Sequence, residues 1–369
     1  MEGTMKAWIT YDYNDMRLEE IQIPKIKKGW ALVRLESFQP SITEAACFKG
    51  YDIEVSEQIR KTLSDKGHFQ VWGHEFSGKV VELADCASKL KIGQRVSLHF
   101  TFSSCGKCKA CLEGRKKECL NPQLIGTDYP GCFAEYVAVP EEIISPVPED
   151  LTVSETVCLQ PLSSVIASID QAQIKIGDTV VVLGLGVMGS NAAQVSRVSG
   201  AGKVIASDIR EENLVLASEL GIDVVVDAKT ENIEDVVRRE TKEMGADIVF
   251  ECAGGSSAQG LAAGETLKQA VNIVRKGGKV WQIAILGKAV TFNLEVFRMK
   301  NIMYRGASPA TNRHFYHGAK LISTKRINVQ KSVTHVLEGI DKLTEAFEIT
   351  DNKRKYKAIN PAQVVVWKD

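Results

Sequence analysis

The chain has 369 residues, of which 46 are basic and 46 acidic, so its formal charge is zero and it offers no global field to draw nucleic acid or an anionic membrane. Hydrophobic residues make up 44% and charged residues 25%, an ordinary globular balance, and the length predicts about two domains. No apolar run approaches the ~20 residues needed to span a bilayer, which excludes a membrane partner and leaves a small neutral substrate as the better fit.

The first half reads as short strands separated by Gly and Pro: KAWIT, ALVRLES, FSGKVVELA, RVSLHF and FAEYVAV. That spacing predicts an all-β, barrel-like body behind a short tail, Met1 to Thr4. GHEFSG, with His74 beside Glu75, precedes the third of these strands. Neighbouring side chains of a strand face opposite ways, so this pair can reach one point only from a bent entry. A polar stretch from Tyr51 to Gln70 with His68 could border a cleft, although surface placement is the simpler reading. His99 reads as a satisfied barrel histidine, and His314, His317 and His335 carry no assigned role.

Cys105, Cys108, Cys111 and Cys119 form a CxxCxxCx7C array. Two-residue gaps let a tight turn aim successive thiolates at one ion, and the longer gap returns the chain to complete a four-sulfur zinc shell. Four sulfurs leave no open position, so this zinc is expected to hold structure. Lys107, Lys109, Arg115, Lys116 and Lys117 are expected to offset part of the thiolate charge. Nothing at the N-terminus resembles a secretory signal, so free thiols and a cytoplasmic location are expected. Cys47, Cys86, Cys132, Cys158 and Cys252 read as small buried hydrophobes.

At Gly177 the texture changes to strands alternating with helices. TVVVLGLG is followed by the helical VMGSNAAQVSRVSG and the strand KVIASD, and the alternation runs on through DVVVDA, DIVFECAG and KVWQIAIL. Such alternation requires right-handed crossovers and a parallel, doubly wound sheet. Gly184, Gly186 and Gly189 stand as GxGxxG across the first strand-to-helix turn, and Val187 and Met188 open the helix. The first glycine permits the turn, the second lets a pyrophosphate approach the backbone, and the third lets helix and strand pack closely. Asp208 ends the next strand, where a carboxylate accepts the adenosine ribose hydroxyls and repels a 2′-phosphate; NAD is therefore expected over NADP. Arg210 could pair such a phosphate, but reads more simply as a stacking or solvated arginine.

GHE, the cysteine array, GLGVMG and their order along the chain resemble the medium-chain zinc-dependent alcohol and polyol dehydrogenases, among them sorbitol, threonine and glucose dehydrogenases, from about Lys6 to Val366. The resemblance implies a GroES-like β-barrel catalytic domain over residues 1–157 with its zinc lobe at 105–119, a Rossmann NAD-binding domain over 158–304, and a return segment, 305–369, that completes the catalytic domain. It also implies a homodimer or homotetramer, built through edge strands of the NAD domain such as KVWQIAIL. In that family a second, catalytic zinc is held by an early cysteine, the histidine and often the glutamate of GHE, and sometimes a carboxylate before Pro-Leu. His74 and Glu75 match. The thiolate position falls on Ser41, the carboxylate position on Gln160, and Ala46 replaces the histidine that often ends the hydroxyl relay, while Thr43 keeps the relay hydroxyl. A thiolate-to-serine change removes a charge and the soft ligand zinc prefers, so the catalytic zinc stays open.

The reading that follows is an NAD-dependent dehydrogenase acting reversibly on a secondary hydroxyl of a polyol, sugar or cyclitol. Glu44, Tyr51, His68 and Asp128, near the expected cleft, favour such a hydroxyl-rich substrate. Two alternatives remain. One is a metal-free reductase delivering hydride to a polarised double bond, with the cysteine lobe kept only as scaffold; the other is a non-catalytic NAD binder. If metal is absent from the reaction site, His74 and Glu75 could instead serve as an acid/base or orienting pair, with Thr43 donating a hydrogen bond.

Overall fold

The computed structural model describes residues 1–51, 56–70, 72–84, 88–254, 264–287 and 289–367. Cys86 lies outside them. Trp30–Gln39 is the hub of a seven-stranded mixed sheet and pairs antiparallel with Glu75–Leu83, Tyr136–Pro140 and Gln363–Val365. It is buried along almost its whole length, which explains why ALVRL departs from simple apolar/polar alternation. All five strands expected in this half are present. Asp15–Gln22 was not expected: only Met16 on it is buried, yet it pairs antiparallel with Thr4–Asp12, with a register shift between Thr10 and Asp12. Phe38, Phe76, Phe133 and Phe347 fill the core of this domain.

The second domain is a six-stranded parallel sheet. From edge to edge its strands are Val224–Asp227, Lys203–Asp208, Thr179–Leu183, Ala246–Glu251, Val274–Gln282 and Met303–Gly306. In chain order this is 3-2-1-4-5-6, so the strand order reverses between Thr179–Leu183 and Ala246–Glu251, where ligands of doubly wound sheets bind. KVWQIAIL is paired on both sides and is therefore interior; the exposed edge is Met303–Gly306. The expectation of pairing through KVWQIAIL is corrected accordingly.

The return of the chain also begins later than position 305. The helix Asn312–Ser323 packs on Leu159–Ala172, and Phe315, Ala319 and Ile322 join the core of the parallel sheet. Only from Val336–Glu338 onward, with Leu343–Asp351 and Gln363–Val365, does the chain re-enter the mixed sheet and its core. Apolar spacing alone does not say which of two cores a helix joins. No helix among the described residues is long and apolar enough to cross a membrane.

Candidate active site

The cysteine lobe needs the least rearrangement to accept a ligand. All four sulfurs lie within 4.8 Å of one another. The Cys105–Cys111, Cys108–Cys111 and Cys108–Cys119 separations are 4.0, 3.5 and 3.9 Å, against about 3.8 Å in a tetrahedron with zinc–sulfur bonds of ~2.3 Å. Backbone N–H groups of Cys105 and Leu120 donate to Cys119 Sγ and Cys108 Sγ. The set fits a structural zinc. Of the nearby cations, Arg115 pairs with Glu113 and Glu118, Lys116 with Glu142, Lys109 with Glu113, and Lys117 donates to Pro309 O. They tie the lobe's surface and its flank together through carboxylates and a carbonyl.

In the parallel domain the glycine turn is fixed by close approach. A Cβ on Gly189 would meet Gly184 O at 1.7 Å, and one on Gly184, whose φ is +86°, would meet Ala253 at 2.7 Å. At Gly186 nothing lies within 4 Å, which leaves room for a pyrophosphate at the uncapped start of the helix Val187–Val198. Val187 and Met188 are half-buried in its first turn. Asp208 stands beside the turn and accepts four N–H bonds, from Leu185 N and Asn213 Nδ2 on Oδ2 and from Ile209 N and Arg210 N on Oδ1. These occupy the lone pairs a carboxylate offers, so ribose hydroxyls must share or displace some of them. Arg210 is half-buried and hydrogen-bonded. Its guanidinium donates to Ala358 O at 2.9 Å and Asn213 Oδ1 at 2.6 Å, a tie from the coenzyme domain to the C-terminal segment.

The third constellation sits on the barrel side. Trp72 and Gly73 both have left-handed φ, +64° and +86°, and this is the bent entry that His74 and Glu75 require. Gly131 permits it, because a Cβ there would strike Trp72 O at 1.3 Å. Ser41 caps the helix Ile42–Phe48 in a reciprocal box: Ser41 Oγ accepts Glu44 N, and Glu44 Oε2 accepts Ser41 N. Glu44 Oε1 accepts Gly73 N at 2.7 Å and pairs with His74 Nδ1 at 2.8 Å. Burial alone would lower the His74 pKa, but attraction to Glu44 and their hydrogen bond outweigh it and carry it up to about 9. Burial likewise opposes ionisation of Glu44, yet the same pairing holds it below its ordinary value. Glu75 lies 3.8 Å from His74 Nε2, and burial pushes it up to about 7. Its other oxygen accepts Gln39 Nε2, and Gln39 Oε1 in turn accepts Asn360 Nδ2 at 2.9 Å. Lys353 is lowered to about 7 by burial and by the Arg210 charge.

Thr43 is half-buried on the first turn of the Ser41-capped helix. Gln160 is buried at the start of Leu159–Ala172, 3.5 Å from Ser164 Oγ. The other polar residues assigned to a cleft do different work. Glu44 is 4% exposed and orients His74, Tyr51 OH is 3.5 Å from Asp351, His68 stacks on Tyr11, and Asp128 accepts Leu124 N. The tie of Glu44 to His74 and the links from Glu75 to Gln39 and on to Asn360 were not expected from the sequence. A glutamate three residues after a serine signals a capping box, but its second oxygen's partner lies 30 residues away.

The donors for a catalytic zinc are poor. Ser41 is neutral and already accepts an N–H, Gln160 is a neutral amide, and among the described residues only the cysteine lobe gathers three or more His, Cys, Asp or Glu ligands. His74 Nε2 and Glu75 Oε1 remain, and two ligands do not make a zinc site. The residues present do not fit that ion.

A family model described as "Alcohol dehydrogenase GroES-like domain" matches residues 28–149, and one described as "Zinc-binding dehydrogenase" matches residues 187–324. The sorbitol dehydrogenase of Halalkalibacterium halodurans is 30% identical over 308 residues, 81% of this chain and 84% of the relative. The L-threonine 3-dehydrogenase of Rhizobium rhizogenes is 30% identical over 339 residues, 90% of each chain. The structure of a Sinorhizobium meliloti zinc-binding dehydrogenase bound to NADP superposes with a TM-score of 0.81 at 26% identity, covering 99% of this chain and 100% of that one. With a GroES-like barrel, a Rossmann sheet, an intact glycine turn and these relatives, the chain belongs to the medium-chain zinc-dependent alcohol and polyol dehydrogenases and is a nicotinamide-dependent oxidoreductase.

Proposed function

We propose that this enzyme oxidises a secondary hydroxyl of a polyol, sugar or cyclitol to a ketone, reversibly, with NAD as the hydride acceptor. The single observation that carries the reading is Asp208 placed against Leu185 N of the glycine turn, a fixed negative charge where the adenosine ribose would lie. The charge disfavours a 2′-phosphate, and Arg210, committed to Ala358 and Asn213, is not free to compensate. The sorbitol dehydrogenase relative supports a polyol. The nicotinamide accepts hydride when bound. The protein's part is to hold the dinucleotide at Gly184–Gly189 and to place the hydroxyl at His74.

A homo-oligomer is part of the same proposal. The outer strand Met303–Gly306 is unpaired on one side, with Met303 50% and Tyr304 42% exposed, and Leu294 and Met299 project nearby. Edge-to-edge pairing of two copies would cover that strand. A cytoplasmic location is supported by a four-thiolate lobe, which must stay reduced. The test is Asp208→Asn: the KM for NAD should rise at least tenfold while that for the alcohol changes by less than about twofold, and discrimination against NADP should weaken. Equal effects on both substrates would remove Asp208 from ribose recognition.

A further inference from the structure

We infer that the reaction centre works without a metal ion, and that His74, with Nδ1 fixed by Glu44, exchanges the proton of the substrate hydroxyl at Nε2. This deepens the proposed dehydrogenase reading and rests on it. Three observations carry it. The zinc ligand positions are held by neutral groups with other work: Ser41 Oγ accepts Glu44 N as a helix cap, and Gln160 lies against Ser164. Glu44, 5% exposed in its side chain, spends both oxygens on Ser41 N, Gly73 N and His74 Nδ1, which fixes the ring's orientation. Of the three ionisable groups only His74 opens outward, with 23% of its side chain exposed against 5% for Glu44 and 7% for Glu75, and its Nε2 has no partner nearer than Glu75 at 3.8 Å among the described residues.

A carboxylate that anchors one ring nitrogen and leaves the other facing the substrate is the arrangement of an oriented general acid/base. In oxidation the hydroxyl O–H bond breaks and its proton goes to Nε2 of the ring in its neutral form, which prevails only as pH rises through about 9, so oxidation should speed up with rising pH across that range. The O–H electron pair becomes the carbonyl π bond, and the carbinol hydrogen leaves as hydride to the nicotinamide of NAD. In reduction the imidazolium returns the proton to the ketone oxygen.

The test uses the full-length enzyme purified without added metal and dialysed against EDTA, with sorbitol and myo-inositol as probes and zinc counted in the same sample. The expected result is one zinc per chain and turnover unchanged by the chelator. His74→Ala should lower turnover about 100-fold or more, leave the zinc count and the NAD dissociation constant unchanged, and recover at least tenfold with free imidazole. A second zinc per chain, or turnover lost on removal of a second ion, overturns the inference; so does a His74→Ala variant that loses zinc or ignores imidazole. Should His74→Ala fail to fold, the chelator arm on the wild type decides. Should neither probe turn over, one zinc with NAD still bound leaves the metal-free centre standing and places the failure in the substrate reading, whereas two zincs sink the inference.

Discussion

The two walls of the cleft have kept their family features unequally. The coenzyme wall is written in backbone: Gly184 and Gly189 leave no room for a Cβ, Gly186 leaves space, and Asp208 locks the turn from the next strand. The reaction wall is written in side-chain charge. There the bent Trp72–Gly73 entry and the capped helix are in place, while Ser41 and Gln160 stand where the resemblance to the family implies a thiolate and a carboxylate. A wall made of backbone cannot change one residue without losing its shape, whereas a wall made of ligands can change chemistry while its fold persists.

The largest expected effect lies on the backbone wall. Gly189→Ala forces a methyl into Gly184 O and must push the helix off the strand, at about 1–3 kcal/mol or more of stability. We expect NAD affinity to fall by more than 100-fold, with a lowered melting temperature. Full NAD affinity in this variant would break the claim that close packing holds the turn. Next in size, Ser41→Cys puts a thiolate at the position the family resemblance assigns to a zinc ligand, and metal analysis should find the zinc content rising from one toward two per chain. An unchanged count would mean that position 41 does not face the ion position and that the two walls differ for another reason.

A smaller effect sharpens the contrast between a histidine with a carboxylate and one without. His99 is 8% exposed, its one side-chain hydrogen-bond partner among the described residues is the Ser145 hydroxyl at 3.0 Å, and burial lowers it to about 4. Its folded pKa is depressed below the unfolded ~6.5, so the unfolded chain binds the proton first and stability is lost as pH falls from about 6.5 to about 4, by up to ~3 kcal/mol. Denaturant unfolding across that range should show the slope, and His99→Gln should flatten it. His74 has the opposite sign, because Glu44 favours its charged form.

The same distinction explains what could be read in advance. Gly184, Gly186, Gly189 and the four cysteines were legible because their spacing states a geometric need, and alternating strands and helices stated the parallel sheet. Glu44 as the partner of His74 was not legible, since the contact joins a helix cap to a loop 30 residues on. Nor was Arg210's tie to Ala358, which spans 148 residues and two domains. The hairpin strand Asp15–Gln22 was hidden because only Met16 on it is buried, and the allegiance of Asn312–Ser323 was hidden because an amphipathic helix does not name the core it covers.

Calorimetric titration of the purified chain with NAD and with NADP tests most directly whether an adenine dinucleotide lies against Asp208. Saturable NAD binding, at least about tenfold tighter than NADP and lost in Gly189→Ala, is the predicted result. Tighter binding of NADP, or no heat from either coenzyme at millimolar concentration, would contradict it.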